Sequence, residues 1–137
     1  MAGLGRYAKM KHRLIYVELK SGHADNGPAW IGYADTSKSG RTIYFNDRAF
    51  QSCKGGGIGA NYFDVESGDE YWISGIKKEG GDRHWAGGGI ISIQREAVDE
   101  YLQVRGYGQL DLSSYNVVSL VKGNVKDRVQ ALENRSA

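Results

Sequence analysis

At 137 residues, with 40% hydrophobic and 25% charged side chains, the chain has the size and balance of one globular domain that can bury about two thirds of its unfolded surface. Its 20 glycines against one proline point to short strands joined by tight turns, and the lone cysteine, Cys53, excludes an internal disulfide and any cysteine-based zinc site. The net charge of +2 divides unevenly: residues 1–13 carry +4, residues 14–94 hold eight Lys/Arg against ten Asp/Glu, and residues 95–137 balance at six and six.

The opening "MAGLGRYAKMKHR" has basic residues but no apolar core behind them, so no signal peptide is expected. No run approaches the ~20 apolar residues of a membrane span, which makes a cytoplasmic location, without membrane contact, the expectation. Residues 1–12 read as a flexible basic arm, a solvated terminus before a phosphate-binding one. In "HRLIYVELK", Ile15, Val17 and Leu19 share one face and Tyr16, Glu18 and Lys20 the other, the mark of a half-buried strand. "SGHADNGP" breaks the pattern. "AWIGYADT" and "RTIYFND" flank "SKSG", where Gly40 supplies a left-handed residue, predicting a hairpin with Ile43 and Phe45 on one face. "RAFQSC" continues that strand past a kink, and "KGGGIGA" is a loop.

"NYFDVE" and "EYWISGIKK" surround the turn "SGDE", with Gly75 predicted at a bulge or bend. "EGGD" turns again, and "GGIISIQ" is the last strand of the region. Five or six short strands, joined locally, are mostly antiparallel, and curling removes their exposed edges. The predicted fold is mainly β: a small, strongly bent barrel resembling the Src-homology type over residues 13–106, which include a short helix. A helical extension over 107–137 follows. In "REAVDEYLQVRG" the pairs Ala97/Tyr101 and Val98/Leu102 are four apart, with Arg105 and Gly106 as stop signals. From Ser113 or Ser114 a longer helix over 114–133 lines up Val118, Val121, Val125, Val129 and Leu132, with Gly123 interrupting it. Its stripe covers either the barrel or another copy of the chain.

No constellation meets the demands of catalysis. "KGGGIGANY" lacks the Gly-Lys-Ser/Thr ending of a phosphate loop and the third glycine of a dinucleotide fingerprint, and "WAGGGIIS" runs into a strand. Cys53 has no histidine nearby in sequence. The pairs His23/Asp25 and Asp82/His84 lack metal-ligand spacing, and Asp69/Glu70 sit on a turn, so no metal and no cofactor are expected. The stretch richest in chemistry is "DEYWISGIKKEGGDRHWAG". If Tyr71–Lys78 and Arg83–Gly89 are two arms of one ribbon, its bend gathers Lys77, Lys78, Arg83, His84 and Trp85. Tyr71, Trp72, Lys78, Arg83, His84 and Trp85 then form a candidate aromatic-basic binding face. The competing reading is that Trp72 and Trp85 cap the barrel while the charges stay wet.

"IYVELKSGHADNGPAWIG", "SKSGRTIYF" and "SGDEYWISGIKKEGGDRHWAGGGIISI" resemble a family of short uncharacterised bacterial proteins across residues 13–106. The resemblance implies a bacterial source and carries no activity to transfer. Some look-alikes bear the label 1-deoxy-D-xylulose-5-phosphate synthase, but a thiamine-diphosphate enzyme of that kind needs several hundred residues and a Gly-Asp-Gly metal motif. The expected function is a non-enzymatic binding module for protein. The alternatives are a nucleic-acid-binding barrel using the same face, and a small enzyme using Asp82/His84 or Cys53.

Overall fold

The computed structural model describes residues 13–22, 26–53, 59–83 and 88–136. Its strands are β1 (Arg13–Leu19), β2 (Ala29–Thr36), β3 (Thr42–Phe45), β4 (Arg48–Ser52), β5 (Tyr62–Asp64), β6 (Glu70–Gly75), β7 (Ile91–Gln94) and β8 (Tyr115–Val118). Helix α1 (Val98–Arg105) separates β7 from β8, and helix α2 (Val125–Ser136) follows β8. The first six strands neighbour one another as β1-β6-β5-β4-β3-β2, and β2 pairs back on β1, closing an antiparallel barrel. β7 then joins β2, and β8 joins β7, both in parallel. The expected fold, a small antiparallel barrel with one short and one longer helix after it, is the fold found. The basic arm at 1–12 lies outside the described residues.

Three apolar clusters hold the molecule together. Ile15, Val17, Ala34, Ile43, Phe45, Phe50, Tyr71 and Ile73 fill the barrel. Outside β1 and β2, Tyr16, Ala29 and Ile31 pack against Ile91, Ile93 and the α1 residue Tyr101. This second cluster corrects the half-buried reading of β1: Tyr16 and Glu18 are as enclosed as Ile15 and Val17. Alternation revealed two faces, but not that β7 and α1 would cover the second. The third cluster seats Val125 and Val129 of α2 on Ala49 of β4, so this helix covers its own barrel.

Other expectations change with the backbone. "RAFQSC" does not extend β3 past a kink; Asn46 and Asp47, at φ 53° and 59°, turn it back as β4. Two left-handed residues match the twist of a two-residue hairpin, and Asn and Asp tolerate that region better than most side chains. Gly75 marks no bulge within the ladder: the β1–β6 register is unbroken from Leu19↔Tyr71 to Ile15↔Gly75, where β6 ends. The helix expected over 114–133 begins only at Val125. Tyr115–Val118 is a strand instead, its adjacent β-branched valines favouring a pleated edge. Gly106 ends α1 at φ 70°, as expected.

Candidate functional site

Residues 71–75 of the supposed ribbon form β6, which lies between β1 and β5 and is not an arm of a separate ribbon; residues 84–87 of the other arm lie outside the described residues. Residues 76–90 instead connect an antiparallel strand to a parallel one, which requires a crossover. Tyr71 points into the barrel, its ring edge-on to Phe50 with centroids 4.7 Å apart. Trp72, on the opposite face, is half-buried against the second cluster. Lys78 is exposed, Arg83 is buried, and His84 and Trp85 lie outside the described residues, as do His23 and Asp25. Cys53 is partly exposed just beyond β4. Tyr71 and Arg83 are therefore buried groups and do not belong to an exposed face.

Asp82 and Arg83 are anchors. Arg83 donates to the Gly27 carbonyl at 2.6 Å and stands 3.9 Å from the fully buried Glu18 carboxylate. Glu18 accepts hydrogen bonds from the Tyr16 hydroxyl and, at 2.6 Å, from the Lys20 ammonium. One Asp82 oxygen accepts from Tyr101 and Tyr115 at 2.6 Å each, and those hydroxyls stand 2.7 Å apart. Two hydroxyl protons thus serve three short contacts. Arg105 donates to the Lys77 and Gly80 carbonyls and to the Tyr107 hydroxyl, tying the turn at 77–80 to α1. Composition offered no signal for Tyr16, Glu18 or Tyr101 as a network; a tyrosine on the nominally polar face of β1 was the one available hint.

Burial, then hydrogen bonding to carboxylates, pushes the Tyr16 and Tyr101 hydroxyls well above their ordinary range. Tyr115 is pushed up to about 12 by the same causes, in the same order. A raised phenol favours the neutral form in the folded state, so its stabilisation is complete below 10.0, the ordinary value, and is lost as pH rises toward 12. Alkaline titration should therefore show tyrosinate absorbance from these residues rising together with loss of near-UV circular dichroism. Independent ionisation of all nine tyrosines near pH 10.0, with the fold intact, would contradict the burial of this network.

A second region offers space. A groove of about 990 Å³ runs between β2, β3 and the segment from Ser119 to Asp127. Tyr33 and Tyr44 stand in its wall, and its charges are Asp35, Asp47, Glu96 and Asp127 against Lys122 and Lys126. The β3–β4 hairpin builds one side: Asn46 accepts from the Val121 N–H at 2.7 Å, and Asp47 from the Val125 N–H at 3.1 Å. Arg128 then bridges Asp47 and Glu66, at 3.0 and 2.9 Å. Lys126 sits 3.6 Å from Asp35 and 5.2 Å from the centre of the Tyr44 ring. Gly32 of β2 lets Gln94 and Leu120 of the groove wall pack close, since an added Cβ would stand 2.9 Å from the Gln94 side-chain oxygen. That oxygen accepts the Tyr33 N–H at 2.8 Å. Sequence reasoning missed the groove because its walls come from three distant segments. No protein-family model, curated protein or solved structure matches this chain.

Proposed function

We propose that this chain is a small non-enzymatic binding module whose ligand is an extended protein segment carrying basic side chains, seated in the groove between β2, β3 and residues 119–127. The observation carrying this reading is the pairing of two tyrosine rings, Tyr33 and Tyr44, with the exposed carboxylates Glu96 and Asp127 in one depression, where Lys126 stands by Asp35 and Arg128 holds Asp47. Tyrosines supply apolar area at low ordering cost, and carboxylates select lysine or arginine. The same charge repels phosphate, which favours protein over nucleic acid as the partner. Against an enzyme stands the occupation of the interior charged groups: Asp82 is engaged by two hydroxyls, and Glu18 by Tyr16 and Lys20.

The test is fluorescence anisotropy with labelled extended peptides containing lysine and arginine, their acidic counterparts, and a single-stranded oligonucleotide. Basic peptides should bind, and Glu96→Lys with Asp127→Lys, both at exposed positions, should weaken binding at least tenfold. Oligonucleotide binding that falls steeply with salt would replace this reading with nucleic-acid recognition. Peptide binding unchanged in the double variant would remove the groove as its site.

A further inference from the structure

We infer that β8 is a strand-addition edge and that its occupant is β8 of a second copy of this chain. β8 pairs only with β7 among the described strands, leaving its other edge as the end of the eight-stranded sheet. The Ile91 N–H donates to the Ser114 carbonyl at 3.0 Å, which fixes the alternation of the parallel ladder. Ser114, Asn116 and Val118 turn their backbone groups toward β7, so Tyr115, Val117 and Ser119 turn theirs outward. The Tyr115 N–H is taken by the Asp111 carbonyl. The outward set that remains is the Tyr115 carbonyl, both groups of Val117 and, just past the end of the strand, both groups of Ser119.

This set is complementary to itself. An antiparallel pair with its two-fold axis through Val117 exchanges two hydrogen bonds between the two copies of Val117. Each Tyr115 carbonyl then accepts from the Ser119 N–H of the other copy, giving four bonds, while the Ser119 carbonyl beyond the strand end is left to solvent. Charge agrees. Edges are usually guarded by lysine, proline or inward charge, yet residues 112–121, "LSSYNVVSLV", contain none of these. Symmetric pairing sets this segment against itself, and nothing along it repels. Leu112 and Val121, 73% and 59% exposed, flank the strand, and antiparallel pairing brings each toward the other's end. An edge of four residues gives a small contact, so the dimer is weak and concentration-dependent.

Sedimentation equilibrium of the full chain from micromolar to millimolar concentration should show the mass rising from one chain toward two. The Val117 and Ser119 amides should exchange more slowly at the higher concentrations. Val117→Pro removes the central donor from both copies while leaving the β7 bonds in place, because that N–H faces outward. Asn116→Lys, at an exposed position, sets two like charges across the axis without touching the core. Each variant should weaken association at least tenfold, and Asn116→Lys supplies the answer if the proline variant fails to fold. A monomer at every concentration, or a dimer indifferent to Asn116→Lys, overturns the inference.

Discussion

Glu18→Ala is expected to cost about 3–5 kcal/mol of folding stability, the range for removing one partner of a buried ionic group. The carboxylate has no exposed surface, and Lys20, its closest cation, is itself only 8% exposed. Without Glu18 the Lys20 ammonium, the Arg83 guanidinium and the Tyr16 hydroxyl keep their burial but lose the group that offsets it. Glu18→Gln separates charge from shape: its amide oxygen can still accept one hydrogen bond, so its loss should be smaller. Urea midpoints at unchanged slope measure both. A Glu18→Ala loss below about 1 kcal/mol would mean that water reaches these cations and that the network is a surface feature. Because domains hold only about 5–15 kcal/mol in total, the alanine variant sits near the folding limit, and the glutamine variant then carries the comparison.

That network marks where reading the sequence stopped short. Period-two alternation placed Ile15 and Val17 inside, and the left-handed Gly40 located the β2–β3 hairpin correctly, because both signals are local. Barrel closure was also legible, since five or six short strands remove their exposed edges by curling and interior glycines permit it. What alternation cannot report is whether a strand's second face meets water or another layer. Tyr16 and Glu18 read as solvent-facing, but β7, which arrives beside β2 at Ala29↔Ile91 and Ile31↔Ile93, and then α1 and Arg83 enclose them. The same limit explains the missed β8. Val118, Val121, Val125, Val129 and Leu132 satisfy helical spacing, yet Val118 pairs with Gln94, a partner that spacing does not contain. The candidate face lost Tyr71 and Arg83 for a related reason. Aromatic and arginine side chains suit burial and binding equally, and their sequence neighbours do not distinguish the two.

Gly123→Ala should release α2 from the barrel and abolish the groove while leaving the six-stranded core folded. A Cβ at this position would overlap the Asp47 carboxylate, and Asp47 cannot move aside freely. It accepts from the Val125 N–H and holds the Arg128 guanidinium, so any shift that makes room breaks the contacts that start and fasten the helix. Undocking exposes Val125 and Val129, whose burial on Ala49 contributes about 1.5–3 kcal/mol apiece. The intrinsic gain from replacing glycine in the unfolded chain, about 0.4–1 kcal/mol, is too small to offset this. The barrel's own cluster contains no residue of α2, so its transition should survive at a lower midpoint. Limited proteolysis should cut the variant between residues 119 and 136 at enzyme levels that spare the parent. In the anisotropy assay, basic peptides should no longer bind, since one wall of their groove is gone. Proteolytic resistance equal to the parent's would show that the hairpin and tail can part far enough to admit the methyl group without losing hold. Peptide binding retained by a variant whose tail is demonstrably released would place recognition on the barrel itself.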